Sequence, residues 1–102
     1  MIRVSFRFPS SDSARFKITG HAGYAGAGED VVCAAVSSAA YLTANTITEI
    51  LGVNAEAKVK EGFLEFSFGG SEAAVKLVEG LRLHTEQLQT EYPKHVKVTT
   101  EV

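Results

Sequence analysis

Two side chains in this sequence have the types and spacing for nucleophilic chemistry: Cys33, and His21 twelve positions before it across a glycine-rich stretch. Asp30 suits a helix N-cap, which would put Cys33 at the third position of the helix that follows. Unpaired backbone N–H groups and the positive end of the helix dipole favour a thiolate there. Cysteines so placed can have pKa values lowered to roughly 3.5–7.5 from about 8.5. An imidazole at the end of the preceding strand can reach that thiol, and a thiolate–imidazolium pair is an activated nucleophile. The competing reading packs Cys33 as a small hydrophobe, the commoner fate of a cysteine in an apolar helix, with His21 a solvated loop residue. Position alone does not choose between them; thiol reactivity does.

The neighbours of this pair sort by the same physics. Asp30 has two compatible roles: capping the helix through the N–H of Val32 or Cys33, and orienting His21 as a third group does in triads. A carboxylate beside a thiolate opposes ionisation, so capping is favoured. Ser37, four residues after Cys33, shares its helix face; a bond from its hydroxyl back to the Cys33 carbonyl is favoured over donation to the thiolate. His84 and His95 are expected at the surface. Gly26-Ala27-Gly28 imitates a phosphate cradle but lacks the third glycine of the dinucleotide fingerprint and a Walker lysine, and Glu29-Asp30 would repel phosphate. No further His or Cys stands at ligand spacing from His21, Asp30 and Cys33, so neither a metal nor a cofactor is expected.

The elements that must position these groups follow from periodicity. Residues 2–8 alternate, with Ile2, Val4, Phe6 and Phe8 on one face, and residues 14–19 alternate through Phe16 and Ile18. Turn formers between them make a hairpin. Glycines at 20, 23, 26 and 28 then predict a mobile loop, with Gly23, Gly26 and Gly28 as a gate that closes on a bound chain. A helix is expected over 31–51, stopped by Gly52. Its first half, VVCAAVSSAAYL, is apolar nearly all round, so a second subunit is expected to cover what the sheet does not. Residues 55–60 and 63–68 read as a hairpin around Glu61-Gly62. Ser71 caps a second helix with Ala74, Leu77, Val78, Leu81, Leu88 and Tyr92 on one stripe, ending before Pro93. Val96 and Val98 suggest a last short strand. The order ββαββαβ over residues 1–102 is a small single α+β domain, two helices packed on one mainly antiparallel sheet.

Composition narrows the partners. Of the 102 residues, 45% are hydrophobic and 22% charged, which is globular and not disordered. Ten Lys and Arg against twelve Asp and Glu give a net charge of −2, which argues against direct binding of nucleic acid. No apolar run reaches the ~18 residues of a membrane span, and MIRVSFRF alternates unlike a signal peptide, so no membrane contact is expected. One cysteine forms no internal disulfide, which suits the reducing cytoplasm.

The stretch GHAGYAGAGEDVVCAAVSS, positions 20–38, resembles the hallmark of the ribosomal-processing cysteine proteases, the Prp (YsxB-like) family. Gly20-His21-Ala22 and Asp30-Val31-Val32-Cys33-Ala34 match its two blocks, with the His-to-Cys spacing intact; the rest of the chain agrees in length and element order. The resemblance implies a homodimeric α+β endopeptidase with His21 and Cys33 as its dyad. It implies a substrate too: a bacterial large-subunit ribosomal protein whose N-terminal extension is cut after an aromatic pair and before small and basic residues. In that reading Cys33 attacks the carbonyl, His21 carries the proton, and backbone N–H groups at the helix start, including that of Cys33, hold the oxyanion. The alternative is a non-catalytic ribosome-associated binding module with Cys33 as core packing.

Overall fold

The computed structural model describes residues 1–20 and 27–101, with side chains in the second stretch from residue 31 onward. Strand β1 (Ile2–Ser10) turns through Ser11-Asp12 into β2 (Ser13–Thr19). Helix α1 (Ala27–Asn45) follows, and the chain continues as one turn of π-helix, Thr46–Ile50. Strands β3 (Ala55–Lys60) and β4 (Phe63–Phe68) precede helix α2 (Glu72–Glu91) and strand β5 (Val96–Glu101). The expected ββαββαβ order and α+β class hold. One sheet contains all five strands in the order β3-β4-β2-β1-β5, with β5 parallel to β1 and every other pair antiparallel.

Register explains the core. Phe6, Phe16 and Phe66 are direct cross-strand partners on β1, β2 and β4. Their ring centroids lie 6.4 and 5.3 Å apart, and each is at most 2% exposed. Such aromatic pairs contribute about 0.5–1.5 kcal/mol each beyond the area they bury. Both helices pack on this face: Val32, Val36 and Ala40 from α1, and Ala74, Val78, Leu81 and Leu88 from α2, share one cluster with the strand residues. Four of the six residues predicted for the α2 stripe, Ala74, Val78, Leu81 and Leu88, are buried. Leu77 is only partly buried and Tyr92 lies beyond the helix end, while Val75 and Thr85 are buried. Thr85 enters the core because its hydroxyl donates to the carbonyls of Leu81 and Arg82, both at 3.0 Å.

Three local devices set the boundaries. Pro9 falls where β1 shifts register between Arg7 and Ser10, a bulge that tolerates a residue without an N–H. Ser71 caps α2 as expected, its hydroxyl accepting the Ala74 N–H at 3.0 Å. Gly52, with φ 68°, takes the left-handed position after the π turn, where Leu51 N–H reaches the Thr46 carbonyl at 2.9 Å.

One expectation about α1 needs correction. The segment Val31–Ile50 is long and apolar enough by length and composition to cross a membrane, contrary to the expectation that no such stretch exists. Its Val32, Val36, Ala40 and Ile47 belong to the domain core. The opposite side stays uncovered in the protomer, with Val31 62%, Leu42 70% and Ile50 79% exposed.

Candidate active site

A pocket of about 110 Å³ opens where the ends of β2 and β4, the β3–β4 turn and helix α1 meet. Cys33 and Ser37 reach it from α1, one turn apart on the face that also carries Tyr41; Ile2, Ile18, Val36 and Leu64 make its walls apolar. Lys60, Glu61, Gly62 and Phe63 close one side. Cys33 is half-buried with a free thiol, packed against the edge of the core while it also lines the pocket.

Gly20 forms another wall of the same pocket and places the end of β2 against the hairpin, its N–H donating to the Gly62 carbonyl at 3.1 Å. Its φ of 88° lies in the left-handed region, and a Cβ there would overlap the Met1 carbonyl oxygen. Only glycine turns the chain at this point while letting the first strand pass so closely. The residue after it is His21, which lies outside the described residues, as do Gly23 and Gly26.

The helix start differs from expectation. It opens at Ala27, so Asp30 is the fourth helical residue and not the N-cap, and Cys33 is the seventh. In an α-helix the Cys33 N–H then belongs to the i→i−4 ladder, and the free donors are those of the first turn. The oxyanion role expected for the Cys33 N–H is therefore withdrawn. Gly28, assigned to the gating loop, also falls within α1. Sequence reasoning extended the loop through it because glycine is a poor helix former, but a single glycine in a first turn costs only about 1 kcal/mol.

Ser37 also departs from its expected role. Thr43, Thr46 and Thr48 bond back to the carbonyls of Ala39, Leu42 and Ala44 at 2.8, 2.7 and 3.1 Å. No such bond forms from Ser37: among the described residues its hydroxyl has no partner, and it lines the pocket beside Cys33. His84 is exposed on α2, away from the pocket, and His95 is half-buried in the turn just before β5. Among the described residues no group of His, Cys, Asp and Glu suits a metal ion. The pocket walls that sequence reasoning missed, Lys60, Phe63 and Tyr41, come from three separate elements and share no local motif.

Comparison with known proteins gives consistent matches. The family described as "Cysteine protease Prp" matches residues 1–97. The ribosomal processing cysteine protease Prp of Bacillus subtilis is 30% identical over 95 residues, covering 85% of each chain. A crystal structure of a ribosomal processing protease Prp from S. aureus with a substrate peptide superposes with a TM-score of 0.89 at 16% identity, covering 99% of this chain and 100% of that one. SMU.848 from Streptococcus mutans superposes at 0.78 with 25% identity, covering 98% and 93%.

Proposed function

Because this chain belongs to the cysteine protease Prp family, we propose that it is the endopeptidase that removes the N-terminal extension of a large-subunit ribosomal protein in the cytoplasm, with Cys33 and His21 as its dyad. Cysteine-type peptidase activity is the property of the family. The observation that carries the assignment to residues is the pocket that Cys33 shares with Gly20, since Gly20 immediately precedes His21 in the chain. The Cys33 thiolate attacks the scissile carbonyl, and His21 takes the thiol proton and returns it to the leaving amine. Ser37, one turn away and without a hydroxyl partner among the described residues, is available to donate a hydrogen bond to the developing charge. The apolar walls from Ile2, Ile18, Val36 and Leu64 favour a hydrophobic side chain next to the scissile bond.

The experiment is incubation of the protein with the extended ribosomal protein, followed by mass spectrometry. A single cut that frees the extension, lost in Cys33→Ala, is the expected result. An intact substrate, or equal cleavage by Cys33→Ala, overturns the reading and favours the binding module. In that second case the native Cys33 thiol would also be inert to a thiol-directed reagent.

The protein also acts as a homodimer in this proposal. Val31, Ala35, Ser38 and Leu42 recur along α1 at spacings of four, three and four, the repeat of a helix–helix seam. The groove beside them, about 590 Å³, is lined by Leu42 and mostly small residues of α1 and by Leu77, Gly80, Leu81 and His84 of α2. Small side chains allow a second helix to approach closely. Leu42→Glu should shift the sedimentation coefficient from dimer to monomer; an unchanged dimer would place the interface elsewhere.

A further inference from the structure

The sheet carries both helices on one side, and its other side has a charge pattern that the net charge conceals. Register and alternation arrange fifteen outward positions in three rows of five, each row taking one residue per strand. Arg3 and Arg7 come from β1, Arg15 and Lys17 from β2, Lys58 and Lys60 from β3, and Lys97 from β5. Against these seven cations stand three acids, Glu56, Glu65 and Glu101; four Ser or Thr and Phe63 fill the rest. The grid thus carries an excess of four positive charges. The whole chain has ten basic and twelve acidic residues, so the remainder holds three basic and nine acidic, an excess of six negative.

Local pairing offsets only part of this charge: the register sets Glu65 between Lys17 and Lys58, and Glu101 beside Arg7. Among the described residues only Lys58 has an ion-pair partner, Glu65 at 4.0 Å, and Lys60 lies over the Phe63 ring at 5.7 Å. Arg7 and Arg15 are direct cross-strand partners, and so are Arg3 and Lys97. Like charges directly opposite one another destabilise a sheet. A fold that places two such pairs on one open face has assembled a field for something outside itself.

We propose that this face docks the phosphate backbone of duplex RNA. Five strands about 4.8 Å apart make it about 19 Å wide, a footprint that reaches several phosphates on the near side of a duplex. Ser5, Thr19, Ser67 and Thr99, set among the cations, supply hydroxyls for phosphate oxygens and for the 2′-OH. Phe63 is the only aromatic residue in the grid, too little for stacking successive bases of a single strand. A lipid surface would call for several apolar residues to insert, and the face offers Phe63 alone. The choice of RNA over DNA rests on the proposed ribosomal-protein substrate. The Lys60–Phe63 corner belongs both to this face and to the Cys33 pocket, so RNA docked here would lie beside the bound peptide.

The test is fluorescence anisotropy of a labelled RNA hairpin with the full chain. Binding should appear at 50 mM salt, and an excess of four charges predicts a log–log salt slope of about −3.6, a loss of roughly 150-fold between 50 and 200 mM. Arg7→Gln/Arg15→Gln and Arg3→Gln/Lys97→Gln should each weaken binding at least about tenfold while the thermal midpoint stays the same or rises. No binding at 50 mM, or unchanged affinity in both double variants, overturns the proposal. Equal affinity for a DNA duplex overturns the RNA assignment, and binding to phosphatidylserine vesicles without binding to the hairpin overturns the docking of nucleic acid. Cleavage of the extended ribosomal protein in the absence of RNA is measured on the same samples. Activity retained in the double variants separates docking from catalysis, and a wild type that binds RNA but does not cleave refutes the peptidase and not the docking face.

Discussion

Three glycines separate conformational strain from steric overlap when each is replaced by alanine. Gly80, in α2, has an ordinary φ and nothing of its own protomer within 4 Å of where a Cβ would stand, so Gly80→Ala should stabilise the protomer by about 0.5–1 kcal/mol. Gly70 has φ 82° with equally open space, so Gly70→Ala carries only the left-handed cost of roughly 1–2 kcal/mol. Gly20 has φ 88° and, in addition, the Met1 carbonyl oxygen where its Cβ would lie. Relief requires the start of β1 to move, but Ile2 is 1% exposed and its N–H bonds the His95 carbonyl at 2.8 Å. Displacing it puts at risk part of the roughly 1.5–3 kcal/mol that burial of such a side chain contributes. Gly20→Ala should therefore cost about 2–5 kcal/mol, against a typical total of about 5–15. In a domain of this size each kcal/mol moves the thermal midpoint by about 4–8 °C. Urea unfolding followed by circular dichroism, with the m-value held as a check, reads all three. Equal midpoints for Gly20→Ala and Gly70→Ala would refute the overlap with the first strand.

His21→Ala should lower the cleavage rate by roughly 10²–10⁴-fold in a quenched-peptide assay, with His84→Ala as the unaffected control; a loss below about tenfold removes His21 from the dyad. Ser71→Ala should cost about 0.5–2 kcal/mol in the same urea titration, because the Ala74 N–H loses its acceptor. Asp30→Asn removes a negative charge from the first turn of α1 and should cost about 0.3–1 kcal/mol with cleavage retained. Abolished cleavage at unchanged stability would instead make Asp30 the residue that orients His21.

Much of this protein was legible in one dimension. Alternation in β1 and β2 is a period-two signal that survives in any sheet with one buried face, so Phe6 and Phe16 were readable as core before their partners were known. Ser71, Gly52 and the Glu61-Gly62 turn act through hydrogen bonds or dihedrals within a few residues, and local chemistry sufficed for each. The spacing from His21 to Cys33 and the glycine before the histidine carried the family resemblance. The start of α1 was misread because Asp30 is a good cap in isolation, whereas the helix begins at Ala27, four residues before the expected Val31. Propensity is a weak prior where a first turn is decided by what surrounds it. The parallel placement of β5 beside β1, the pocket walls from Lys60, Phe63 and Tyr41, and the gathering of seven cations on one side of the sheet depend on which strands become neighbours. Strand order joins residues up to about ninety positions apart, such as Arg3 and Lys97, and no local pattern encodes that choice. Net charge is a sum over the chain, but a field is a sum over positions, and only the tertiary structure supplies the positions.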